Sequence, residues 1–266
     1  QPAEVAKVVL DEDAGRIDIH YEWYGEGPTV IFVHGAGANT LGWFQQIPEL
    51  GKLFRCLLLD LRGYKNSRCP PDQFDPRYFV DDLLAVLDGE RIERAAFACQ
   101  DIGAWGVLPL AIRYPERVAA IAIGGSIQPV CSDETRSVLA AWLAAKRANA
   151  AGLRFSGRFA TERPDLVVLY RSFERLNSTP ALDMLGEEAW QLAPEQLCDF
   201  KTPTLIVRGS EDELVTNESH RAGAALIPGA KVYTFEGAGE APFAETPVMY
   251  NRVLHSFFRQ SGWSEK

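Results

Sequence analysis

Apolar and polar positions alternate over residues 16–24, with Ile17, Ile19, Tyr21 and Trp23 on one face, which predicts a half-buried antiparallel strand. Gly25-Glu26-Gly27-Pro28 turns it. Short, bounded runs rich in apolar residues follow at 29–33, 55–59, 95–99, 118–123, 203–207 and 231–235. Such runs predict strands buried on both faces, as in a parallel sheet. Helical spacing lies between them at 43–50, 76–89 (Phe79, Leu83, Leu84, Leu87), 103–114, 220–226 and 247–260, with Pro115 stopping the third. Strand–helix alternation of this kind predicts an α/β fold. Residues 133–195 break the pattern: 138–148, 166–176 and 182–192 have helical spacing, and no strand stands out. The expected organisation is a core of 1–127 and 196–266 interrupted by a helical insert at 128–195.

Composition narrows the partners. The 266 residues suffice for one sizeable core. A net charge of −9 disfavours nucleic acid and anionic membrane surfaces. No apolar run approaches the roughly 18 residues of a membrane-spanning helix, so no membrane partner is expected. Cys56, Cys69, Cys99, Cys131 and Cys198 are scattered, and the four histidines do not cluster with them. That pattern fits free thiols in a reducing compartment and no zinc site. Gln1-Pro2-Ala3-Glu4 lacks a secretory pattern, so the expected location is cytoplasmic. The expected partner is a small-molecule substrate, with no metal and no cofactor, in a monomer or homodimer.

One strand-to-helix junction carries the candidate chemistry. Cys99-Gln100-Asp101-Ile102-Gly103 has the spacing of the G-x-S-x-G nucleophile elbow, with a carboxylate where a serine hydroxyl is usual. A sharp turn there projects one side chain past the strand and aims helix N-terminal amides at it. Five further stretches accompany it in order: His34-Gly35-Ala36-Gly37, Asp60-Leu61-Arg62-Gly63, Tyr114-Pro115-Glu116-Arg117-Val118, Gly209-Ser210-Glu211-Asp212 and Gly237-Ala238-Gly239-Glu240-Ala241-Pro242-Phe243. Together they resemble the α/β-hydrolase fold with a helical cap, over nearly the whole chain. The resemblance implies a mostly parallel central sheet flanked by helices. It places Asp101 at the nucleophile position, Asp212 at the triad acid and Glu240 where the triad histidine usually stands. The backbone N–H groups of Ala36 and Ile102 would form the oxyanion hole. Aspartate at the nucleophile is similar to the epoxide hydrolase and haloalkane dehalogenase branch; glutamate for histidine is a departure from it.

Three carboxylates at one sheet end would repel. Two charges about 4 Å apart, at an effective dielectric near 20, repel by about 4 kcal/mol. The sequence therefore predicts a coupled cluster holding at least one shared proton, in which Glu240 serves as base or acid. The leading function is a hydrolase-like enzyme in which Asp101 attacks an electrophilic carbon or orients a water, with Glu240 activating the water. The alternatives are a non-hydrolytic lyase, isomerase or cyclase using an Asp101/Glu240 pair, and a non-catalytic binding protein. Ile102 and Trp105 stand where haloacid-type relatives carry arginines, so small anionic substrates are disfavoured. A neutral, hydrophobic epoxide, ester or lactone is expected. His34, Trp105, Trp142, Tyr170 and Phe243 are the candidate pocket residues, Tyr170 as the proton donor that epoxide-type relatives take from the cap.

Overall fold

A computed structural model describes residues 4–9, 17–126, 154–177 and 191–264, with isolated positions at 129, 130, 132, 133, 135–137, 140, 141 and 144. Eight strands form one sheet: β1 (Glu4–Val9), β2 (Asp18–Tyr24), β3 (Thr29–Val33), β4 (Arg55–Leu59), β5 (Ala95–Gln100), β6 (Val118–Gly124), β7 (Thr204–Gly209) and β8 (Lys231–Phe235). Their spatial order is β1-β2-β4-β3-β5-β6-β7-β8. β2 runs antiparallel to β1 and β4, placing Tyr21 opposite Leu59, and every pairing from β4 to β8 is parallel. β1 is a strand that the alternation pattern did not announce.

Period-two geometry explains the apolar runs. Ile31, Val33, Leu57, Leu59, Phe97 and Cys99 face one core. Their neighbours Val30, Phe32, Cys56, Leu58, Ala96 and Ala98 face the other. The first core is covered by α2 (Phe79–Gly89) and α3 (Ala104–Arg113), through Phe79, Leu83, Val107 and Leu108. The second contains Trp43 and, from α8 (Pro247–Gln260), Leu254 and Phe258. Helices on both faces leave the central strands no solvated side, so alternation disappears there and survives in β2.

The sequence expectation of one helix over 43–50 is corrected. A 3₁₀ turn at Thr40–Trp43 is followed by the short α1 (Ile47–Leu50), which carries Pro48 in its first turn. The missing N–H of proline is tolerated at a helix start and not in an interior. In the insert, α4 (Gly157–Glu162) and α5 (Pro164–Glu174) are helical. Most of 138–148 and 182–192 lies outside the described residues. Leu192 itself forms an isolated parallel bridge with Val130 instead of ending a helix. After β7 come α6 (Asn217–Ala225), β8, the single-turn α7 (Pro242–Glu245) and α8.

Candidate active site

Because β3 to β8 are parallel, the segments that follow them lie at one end of the sheet. Asp101 closes β5 and opens a 3₁₀ turn, Asp101–Gly103, that leads into α3. Its φ is +50°, a left-handed conformation rare for a residue with a side chain. Such a conformation costs on the order of 1–3 kcal/mol and persists where its surroundings fix it. Two contacts do so here. The Ser126 hydroxyl donates to the Asp101 carbonyl at 2.9 Å, and the Ala36 N–H donates to Asp101 Oδ2 at 2.9 Å. The carboxylate is 3 % exposed, so this amide is a substantial part of what replaces its water. The oxyanion-hole donor expected at Ala36 thus already holds one oxygen of Asp101. Ile102 is fully buried in the turn at the head of α3.

Glu240 lies in the segment between β8 and α7, 2 % exposed. The elbow itself holds that segment: Gln100 Nε2 donates to the Glu240 carbonyl at 3.0 Å. The Gln100 side chain passes where a Cβ on Gly125 would sit 2.1 Å from Nε2, and Gly125 has φ +49°. Glycine is required there both for space and for backbone.

The third carboxylate, Asp212, is engaged by its own loop and by His220. Asp212 Oδ1 accepts the N–H groups of Leu214 and Val215 at 2.9 and 2.8 Å, and Oδ2 lies 3.3 Å from His220 Nε2. His220 sits on α6 and is 1 % exposed. Both Asp212 oxygens therefore organise the loop after β7. The eight-residue spacing of Asp212 and His220 across one loop is the sequence signal for this pair, which reading Asp212 only as the triad acid passes over.

A cation that sequence reasoning missed enters the site. Arg154, at the start of the described part of the insert, places Nε 3.6 Å from Glu240 Oε2 and donates from Nη2 to the Ala36 carbonyl at 2.8 Å. It also pairs with Glu174 at the end of α5. Burial would lower the Arg154 guanidinium, but the fields of Glu174, Glu240 and Asp101 outweigh it and push it upward, so it stays charged. Asp212 is thus engaged by His220 and backbone amides, while Arg154 faces Glu240 and lies in the field of Asp101.

The remaining candidates fall into three groups. His34 is a buried brace: Nε2 accepts the Leu61 N–H at 2.9 Å and Nδ1 lies 2.8 Å from the Gly35 carbonyl. Burial lowers it to about 4, so it is neutral at pH 7. Tyr170 and Phe243 sit in an aromatic cluster with Phe44, Phe155 and Phe173 or with Trp43 and Tyr250. The Tyr170 hydroxyl accepts from Gln45 Nε2 at 3.0 Å, and burial raises this phenol, so it is protonated near neutrality. Trp105 is buried on α3, and Trp142 lies outside the described residues. Tyr64, not foreseen, is buried against the Gly37 backbone within the fields of Asp101 and Arg154; burial first and then Asp101 keep its hydroxyl protonated. Among the described residues, no group of three or more His, Cys, Asp or Glu is arranged to hold a metal ion. No helix among them is long and apolar enough to cross a membrane.

Comparison with known proteins agrees with this architecture. The sequence model of the alpha/beta hydrolase family matches residues 30–253. The chain belongs to that family. It is 27 % identical over 253 residues to a 2-hydroxymuconate semialdehyde hydrolase of Pseudomonas sp., covering 89 % of each chain. Over 109 residues it is 33 % identical to the bifunctional epoxide hydrolase 2 of Sus scrofa, which is 40 % of this chain and 20 % of that protein. The chain therefore spans about a fifth of the length of that relative. A thermophilic esterase from Thermogutta terrifontis superposes with a TM-score of 0.81 at 20 % identity, over 97 % of this chain and 99 % of the other. An enol-lactonase from Burkholderia xenovorans gives 0.76 at 22 % identity, over 91 % and 97 %.

Proposed function

We propose that this hydrolase-family enzyme opens a neutral, hydrophobic electrophile, best an epoxide, with Asp101 as nucleophile and Glu240 as the base that activates water. The observation that carries the reading is the Ala36 N–H on Asp101 Oδ2. The amide orients the carboxylate at the end of β5, and the same amide later faces the oxyanion of the ester's hydrolysis. The partial match to an epoxide hydrolase adds support.

In this scheme Asp101 Oδ1 bonds to the electrophilic carbon, the ring C–O bond breaks, and the alkoxide takes the proton of Tyr64. Glu240 then removes a proton from water, and the hydroxide adds to the ester carbonyl of Asp101. The oxyanion is met by the Ala36 and Ile102 N–H groups. Collapse expels the second hydroxyl of the diol, which takes the proton carried by the hydroxide, and restores the carboxylate of Asp101. The proton on Glu240 makes good the one spent by Tyr64. The insert between β6 and β7 serves as the cap that keeps bulk water out.

E240Q provides the test. Mixed with styrene oxide, it should accumulate a covalent adduct of one substrate mass on the peptide that contains Asp101, read by mass spectrometry, while D101N forms none. Diol formed by D101N at the wild-type rate, or a rearranged product that contains no added water, would contradict the proposal. The second outcome would point to the non-hydrolytic use of the same carboxylates.

A further inference from the structure

We infer that Arg154 is a positioning residue: delivered by the insert, it holds Glu240 as a carboxylate beside Asp101 and fixes the Ala36 loop that carries the oxyanion N–H. This deepens the reading above and rests on it for its catalytic meaning, though not for its test. Three independent contacts carry it. Arg154 Nε faces Glu240 Oε2 at 3.6 Å, its Nη2 donates to the Ala36 carbonyl at 2.8 Å, and its remaining reach is taken by Glu174. The same Ala36 residue presents its N–H to Asp101 Oδ2. One guanidinium is therefore tied to the proposed base and to the residue that grips the proposed nucleophile.

The adjoining backbone is shaped around it. A Cβ on Gly37 would stand 3.2 Å from Arg154 Nη2, and Gly37 has φ +77°. Asn177, just beyond α5, donates to the carbonyls of Gly37 and Ala38, both at 3.1 Å. The guanidinium is only 17 % exposed, so its pairings are weakly screened. A family histidine at position 240 would be neutral while it waits and cationic as it works. A glutamate inverts that cycle, and a fixed cation is what such a site needs to hold it ionised.

Among the described residues, the charged and titratable groups on this side of Glu240 include Arg158 and Glu211, which reach Gly237 in the same loop. Arg154 and, through it, Glu174 come from the insert. Asp101 and Tyr64 come from the core loops and share the field of Arg154. Glu245 on α7 holds the neighbouring Gly239 N–H at 2.9 Å and the Ser156 N–H and hydroxyl. Of the two arginines, Arg154 is the one paired with the Glu240 carboxylate itself.

The test needs no substrate. Protein labelled with ¹³C at the glutamate carboxyl is titrated by NMR, with the Glu240 signal assigned by its loss in E240Q. R154Q should raise the midpoint of Glu240 by about one pH unit or more, and R154K, which keeps the charge, should return most of it. E174Q, which frees Arg154 of its competitor, should lower the midpoint. It also covers the case in which R154Q does not fold. An unchanged midpoint in folded R154Q, or in E174Q, overturns the inference. Shifted midpoints with no turnover of any epoxide would instead leave Arg154 as assigned and contradict the catalytic reading.

Discussion

Two aspartates stand at the ends of neighbouring regions of one sheet and are treated differently. Asp101 after β5 is strained, accepts the Ala36 N–H of a neighbouring loop, and lies in the field of a guanidinium brought by the insert. Asp212 after β7 is relaxed and taken up by Leu214, Val215 and His220. Backbone strain at a buried carboxylate beside a guanidinium is what the proposed nucleophile shows. A carboxylate whose lone pairs are spent on its own loop marks a group kept for folding. The resemblance to the family proposes both for the catalytic set, and their surroundings differ.

The largest expected effect breaks the comparison at the Asp101 end. D101N should reduce epoxide turnover by about 10³-fold or more while leaving the urea midpoint unchanged or higher. A loss of stability that parallels the loss of activity would make Asp101 an ordinary structural aspartate. The next effect concerns His34, the brace under the loop that grips Asp101. Burial depresses its folded value to about 4, below the ordinary 6.5, so the unfolded chain binds its proton first. Stability is therefore complete above pH 6.5 and falls as pH drops from there toward 4, by about 3 kcal/mol at most. Urea midpoints from pH 7.5 to 4.5 should show that slope, and H34N should flatten it. A slope equal in both proteins would remove His34 from the account.

At the other end, D212A should cost about 2 kcal/mol by stripping two buried amides and His220 of their acceptor. Turnover at low temperature should stay within about tenfold of wild type. A catalytic loss approaching that of D101N, with an unmoved melting temperature, would return Asp212 to the chemistry. The smallest effect is that of Tyr170. Y170F removes a hydroxyl engaged by Gln45 and should cost about 1 kcal/mol of stability, with turnover changed less than about threefold. A larger loss of turnover would reinstate this phenol as the proton donor in place of Tyr64.

Much of the fold was legible because burial on both faces writes itself into runs such as 29–33 and 95–99. The strands at those places and the helix at Pro247–Gln260 follow the pattern closely. α1 was misread because apolar spacing alone ignores where Pro48 breaks a turn. Within the site, the elbow motif located Asp101 and the G-x-G-E stretch located Glu240, since both belong to local turn chemistry. Arg154 was illegible for the opposite reason. It lies among Lys146, Arg147, Arg158 and Arg163 in a stretch of ordinary helical composition. Only tertiary packing distinguishes the one that reaches Ala36 and Glu240. The expectation of three mutually repelling carboxylates took no account of this cation, because a counterion more than fifty residues from the elbow leaves no local signature.

The most direct measurement is a single turnover in ¹⁸O-labelled water, with enzyme in excess over styrene oxide, followed by mass analysis of the peptide that contains Asp101. The account predicts one ¹⁸O in the Asp101 carboxylate and product carrying the oxygen originally in that side chain. Product labelled directly from solvent, with Asp101 unlabelled, would contradict it.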